Sequence, residues 1–125
     1  MITLAVVALA TSVLFGCTPE TQIFSDATQV INTEVNKEFS IALHVNITTG
    51  YSWQVAHDSN VLKLLQKTYR ELNKTGKQIG GVSGTEYFSS KALTRGETKV
   101  TFTYRRPWEQ PSAQDQTLVF TVDVK

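Results

Sequence analysis

Phe39-Ser40-Ile41-Ala42-Leu43-His44-Val45 sets a larger apolar side chain at every second position. An extended chain turns successive side chains to opposite faces, so this segment predicts a strand burying Phe39, Ile41, Leu43 and Val45. The same alternation recurs at Tyr51, Trp53 and Val55, at Val100, Phe102 and Tyr104, and at Leu118, Phe120, Val122 and Val124. Fainter strands are expected over Val30 to Thr33, Leu62 to Tyr69 and Thr85 to Leu93, each broken by polar residues or bounded by glycine. Helical spacing occurs only around Val61 to Leu65, where a short turn is expected. Short strands separated by Gly, Pro, Asn and Thr clusters predict an all-β, antiparallel β-sandwich. No internal repeat or low-complexity segment is visible.

The chain of 125 residues has the length of one small domain. Twelve basic and eleven acidic residues leave a formal net charge of +1, which offers no basic field for nucleic acid. A single cysteine, Cys17, excludes an internal disulfide, so the core alone must hold the domain together. About a hundred residues can bury roughly two-thirds of their unfolded surface, enough for independent stability.

Residues Met1 to Gly16 are uncharged and apolar or small, and they end directly at Cys17. Such a run falls short of the roughly 20 apolar residues that span a bilayer. Leu14-Phe15-Gly16-Cys17 has an apolar residue three places before cysteine and a small one just before it, and resembles a bacterial lipoprotein processing site. The resemblance implies a signal peptide over 1–16, a mature chain starting at a lipid-bearing Cys17, and membrane anchoring in a bacterial cell envelope. One departure is that no Lys or Arg precedes the apolar run. The plainer reading of Cys17 is a free or buried thiol. Residues 17–28, with Pro19, Ser25 and small polar side chains, read as a tether, which leaves 29–125 as the folded domain.

Three polar or glycine-rich loops lie between the expected strands. The first is Asn46-Ile47-Thr48-Thr49-Gly50, where asparagine favours a turn, threonine hydroxyls can bond nearby backbone and glycine permits positive φ. A simple strand connection accounts for those residues. The second carries Gly80-Gly81-Val82-Ser83-Gly84 before Thr85. It lacks the Lys-Ser/Thr and the strand-to-helix setting of a phosphate loop, and reads by itself as a hairpin tip. The third is Arg106-Pro107-Trp108, followed by Glu109-Gln110-Pro111. Trp53 fits the buried role, because it lies on the apolar face of an alternating strand. Trp108 follows proline in a polar loop, and Trp and Arg are over-represented among interface hot spots.

Taken together, the three ordered motifs resemble the recognition loops of the chagasin family, protein inhibitors of papain-like cysteine peptidases. The resemblance covers most of Phe39 to Lys125. It implies an immunoglobulin-like sandwich whose three loops share one end and enter a peptidase's active-site cleft as a wedge. In that reading the peptidase-binding residues are Asn46, Ile47, Thr48, Thr49 and Gly50, then Gly81, Val82, Ser83, Gly84 and Thr85, then Arg106, Pro107 and Trp108. Thr48 would approach the catalytic cysteine and histidine, the glycine-rich stretch would pair by backbone with the substrate-binding strand, and Trp108 would pack near the catalytic histidine. Arg106 would either support its loop or bond across the interface. Two positions depart from the family pattern: Ile47 stands where the family has proline, and Ser83 where it usually has glycine. A loop without proline is less preorganised, so a somewhat lower affinity is expected.

Other chemistry finds little support. His44 and His57 lie on separate elements with no carboxylate spacing that fits a metal site. No nucleophile sits in an elbow motif, so no enzyme activity, cofactor or metal is expected, and the chain is read as a monomer. A second reading is an immunoglobulin-like adhesion or carbohydrate-binding module. Geometry separates the two: an inhibitor needs Thr48, the glycine stretch and Trp108 at one end, whereas a sugar binder would show aromatics on a flat face.

Overall fold

The computed structural model describes residues 21–71 and 83–125. They form eight strands: β1 (Gln22–Phe24), β2 (Ile31–Thr33), β3 (Glu38–Asn46), β4 (Ser52–Ala56), β5 (Leu62–Glu71), β6 (Ser83–Ala92), β7 (Gly96–Arg105) and β8 (Gln116–Val124). The only helical element among the described residues is a 3-10 turn, Ile47–Thr49. One sheet has the order β1-β3-β6-β5 and the other β2-β8-β7-β4. Pairing is antiparallel throughout except at the short edges, where β1 runs parallel to β3 and β2 parallel to β8.

The core lies between the sheets, as the alternation predicts. Phe39, Ile41, Leu43 and Val45 from β3 and Phe88 from β6 meet Val100 and Phe102 from β7 and Phe120 and Val122 from β8. Phe88 and Phe102 meet edge to face across the gap, with centroids 4.8 Å apart, and Phe102 and Phe120 do so at 5.6 Å. Such edge contacts set the positive rim of one ring against the negative face of the next, adding to the area they bury. All seven strands expected from the alternation are present.

Two expectations are corrected. The stretch 17–28, read as a tether, contains β1, whose Gln22 and Phe24 pair with Phe39 and Ile41. Phe24 packs on Phe39 with centroids 6.4 Å apart. Three residues cannot display a period, so the strand left no pattern to read. The short helical turn expected near Val61 to Leu65 is instead the start of β5. Asp58 receives the amides of Val61 and Leu62 in a tight turn, and the strand then carries an irregularity between Leu64 and Gln66. A bulge adds one residue to the strand. Consecutive leucines at 64 and 65 thus mimic helical spacing in a strand.

Register fixes which loops are neighbours. Asn46 pairs with Ser83, Glu71 with Gly84, and Ser52 with Arg105. Strands β3, β5 and β7 therefore end, and β4, β6 and β8 begin, at one pole of the sandwich. β1 starts beside Phe39, at the opposite pole.

Candidate functional site

The connections 47–51 and 106–115 lie at the same pole, and Glu71 and Ser83, which flank the second loop, end β5 and begin β6 there. Gly81 and Val82 lie outside the described residues.

The first loop is tightly wound. The Asn46 side-chain Oδ1 accepts both the Thr48 amide (3.2 Å) and the Thr48 hydroxyl (2.6 Å), and the Thr49 hydroxyl donates to the Asn46 carbonyl at 2.8 Å. These bonds let a short polar segment leave a strand and reverse within three residues. Thr48 and Thr49 are exposed at the tip. Gly50 closes the loop with φ of +79°, a conformation in which a Cβ would crowd the backbone.

The third loop opens with a β-turn in which the Glu109 amide donates to the Arg106 carbonyl at 3.1 Å. Pro107 occupies the second place of that turn, where its fixed φ is preformed. Trp108 follows at the corner and is 71% exposed, the highest value among the large apolar side chains described. Its ring is nonetheless seated. A Cβ built on Gly50 would lie 2.4 Å from the ring, so the indole edge rests where Gly50 has no side chain.

Arg106 joins the two loops. Its Nε donates to the Thr49 carbonyl at 2.9 Å, one terminal nitrogen pairs with Glu109 at 2.9 Å, and the guanidinium lies 4.8 Å from the centre of the Tyr51 ring. The bond to Glu109 raises the arginine's pKa further, so its charge is permanent. Of the two roles open to Arg106, the intramolecular one is occupied. Arg105 donates to the Glu109 carbonyl and steadies the same turn.

The second loop departs from expectation at Gly84 and Thr85. Both belong to β6, which lies between β3 and β5, and each pairs with Val45 or His44 on one side and Glu71 or Arg70 on the other. Backbone already bonded on both sides cannot add a peptidase strand. Ser83 pairs with Asn46 at the rim. Gly84 has a structural reason to be glycine: a Cβ there would fall 2.3 Å from the Tyr69 ring, which lies across it. Burial, and then the charges of Glu71 and Glu86, push the Tyr69 phenol's pKa up.

Sequence reasoning missed the residues beneath the loops. Tyr104 stacks on both Tyr51 (5.1 Å) and Trp53 (4.8 Å) and accepts the Asn46 amide on its hydroxyl. Glu86 is buried on the core face of β6 and accepts the Trp53 amide at 3.2 Å, while Lys67 reaches the same carboxylate at 3.5 Å and the Trp53 carbonyl at 3.4 Å. A signal for Glu86 was present, since it shares a face with Gly84, Phe88, Ser90 and Ala92. A carboxylate on such a face must have buried partners. Among the described residues no three His, Cys, Asp or Glu side chains converge as metal ligands.

The profile of the chagasin family peptidase inhibitors (I42) matches residues 32–124. The chain belongs to the chagasin family. Membership makes it a peptidase inhibitor and not an enzyme. Amoebiasin-1 of Entamoeba histolytica is 34% identical over 90 residues, covering 72% of this chain and 82% of that protein. The fold agrees with the crystal structure of the cysteine protease inhibitor EhICP2 from the same organism, with TM-score 0.68, 23% identity, and coverage of 84% of this chain and 96% of the other. It also agrees with the structure of PbICP-C in complex with falcipain-2, with TM-score 0.56, 18% identity, and coverage of 84% and 98%. Chagasin-family membership accounts for the ordered loops, and the sandwich explains how they come together.

Proposed function

We infer that this chagasin-family chain is a reversible inhibitor of papain-like cysteine peptidases that occludes the active-site cleft with the loops at one pole. The observation that carries the reading is the interlock of the first and third loops. Arg106 and Gly50 bring exposed Thr48 and exposed Trp108 onto one edge, held by bonds internal to the protein. An edge built this way can fill a cleft without first being ordered by it. It needs no covalent step, because a loop that offers no carbonyl in attack geometry blocks the nucleophile by occupancy alone. The complex of PbICP-C with falcipain-2 supports the choice of peptidase class.

The carbohydrate-binding alternative is not favoured. Trp108 stands on a loop tip against Gly50 rather than on a flat sheet face. With Gly84 and Thr85 enclosed in the sheet, the glycine-rich loop's share of the contact falls to Ser83 and the residues before it.

The same proposal includes a lipid on Cys17, a cell-envelope location and a monomeric inhibitor; the apolar run ending at Leu14-Phe15-Gly16-Cys17 supports the first two. Purified residues 17 to 125 are expected to inhibit papain or a cathepsin L-like enzyme competitively. Full activity of several such peptidases at micromolar inhibitor would sink the reading.

A related expectation concerns Gly50→Ala. The alanine must adopt a left-handed φ, at about 1–2 kcal/mol, and its Cβ displaces the Trp108 ring. Inhibition should weaken by at least about tenfold, more than a loss of stability of that size would produce in a protein that stays folded at the assay temperature. A titration curve that matches wild type would show that the seating of Trp108 is irrelevant to binding.

A further inference from the structure

The loop carrying Thr48 is gripped from the opposite sheet. Its first residue, Asn46, donates its amide to the Tyr104 hydroxyl at 3.0 Å, and Tyr104 belongs to β7, across the core from β3. Tyr104 is one layer of a column. Trp53 stacks on it at 4.8 Å and donates its indole N–H to the His44 carbonyl at 2.8 Å, just ahead of the loop. Tyr51 stacks on Tyr104 at 5.1 Å, and the Arg106 guanidinium lies against Tyr51 while its Nε holds the Thr49 carbonyl. Three of the four side chains thus bond this stretch of backbone, Trp53 at His44 just before the loop, Tyr104 at Asn46 at its start and Arg106 at Thr49 near its end, while Tyr51 links Tyr104 to Arg106.

We infer that the Trp53–Tyr104–Tyr51–Arg106 column is a positioning device for the Asn46–Gly50 loop, its Tyr104 hydroxyl and Arg106 guanidinium clamping the two ends in the conformation that binds a peptidase. The inference rests on the reading of function given above. Its physical basis is preorganisation: residues ordered in the free protein do not lose that entropy on binding. Ile47 leaves φ free where a proline would fix it, so the loop's order must come from elsewhere, and the column supplies bonds at both ends. None of Trp53, Tyr104 and Tyr51 is exposed at the tip; they act through the loop.

Tyr104→Phe tests the clamp, because it keeps the ring stack and removes the acceptor of the Asn46 amide. Hydrogen exchange at Asn46 should accelerate by about tenfold or more, as expected for loss of one hydrogen bond. Inhibition of papain should weaken by about three- to tenfold, and Arg106→Met, a change on the surface, should weaken it similarly. In combination with Thr48→Ala the Tyr104→Phe effect should shrink, since a loop that has lost its contact gains little from being positioned. Unchanged Asn46 exchange in Tyr104→Phe overturns the proposal, as does wild-type inhibition by both variants or strict additivity with Thr48→Ala. If Tyr104→Phe does not fold, Arg106→Met carries the inhibition test and the cycle with Thr48→Ala alone. A wild-type chain that inhibits no papain-like peptidase removes the functional reading, and Asn46 exchange then decides the clamp by itself.

Discussion

Replacing Trp108 with alanine is expected to raise the inhibition constant about thirty- to a thousandfold, a loss of about 2–4 kcal/mol of binding. Trp108 combines a large apolar surface, 71% exposed, with a fixed seat on Gly50, and it follows a proline in a closed turn. An exposed tryptophan on a mobile loop would lose much of its burial energy in becoming ordered. Here most of that ordering precedes binding. The folded domain should scarcely notice the change, because the ring makes little of the core, so the melting temperature should stay within a few degrees of wild type. Competition assays against papain would measure the constant. A variant that inhibits as well as wild type would remove Trp108 from the interface.

The second large effect falls on stability. Glu86→Ala should cost about 2–4 kcal/mol, because it strips the buried Trp53 amide of its acceptor and leaves a hole on the core face of β6. For a domain of this size that corresponds to a fall in melting temperature of roughly 10–20 °C. The loss should exceed that of Lys67→Met, since the ammonium is 43% exposed whereas the carboxylate is 5% exposed. Exposed partners are shared with water and contribute little. Urea unfolding of the two variants would rank them, and a Glu86→Ala loss below that of Lys67→Met would contradict the assignment.

The position of that side chain explains why a polar group is placed in the gap. β4 is an edge strand, and at Trp53 both its N–H and its carbonyl are taken by side chains from the other sheet. Glu86 and Lys67 stand in for a neighbouring strand. They satisfy backbone groups that would otherwise be open to pairing with another chain, and they fix Trp53 at the base of the aromatic column.

How much of this was legible in the sequence depended on how far each feature reaches along the chain. Phe39 to Val45 and Leu118 to Val124 declared themselves because burial on one face repeats every two residues. β1 was invisible because Gln22–Phe24 is too short to repeat, and β5 was obscured by the irregularity at Leu64. At the site, Asn46, Thr48, Gly50, Pro107 and Trp108 could be picked out because turn residues and an unburied tryptophan are local signals. The partnership of Arg106 with Thr49, and of Tyr104 with Asn46, joins positions 57 and 58 residues apart. Only the sandwich brings them together. Gly84 illustrates the opposite error: read as a loop glycine, it is paired in the sheet on both sides, and a tyrosine ring lies where its side chain would be.

The placement of β1 gives the molecule a direction. Strands of nine or ten residues span about 30 Å, and Gln22 enters the sandwich at the pole away from the loops. Whatever holds the chain ahead of Gln22, whether a membrane, a bead or a fused protein, therefore holds it by the blunt end and leaves the wedge foremost. A display on a surface through the amino-terminal side would present the inhibitory edge outward, toward an approaching peptidase, whereas a carboxy-terminal attachment at Lys125 would do the same from the other sheet, since the Lys125 amide bonds Thr33 at that far pole.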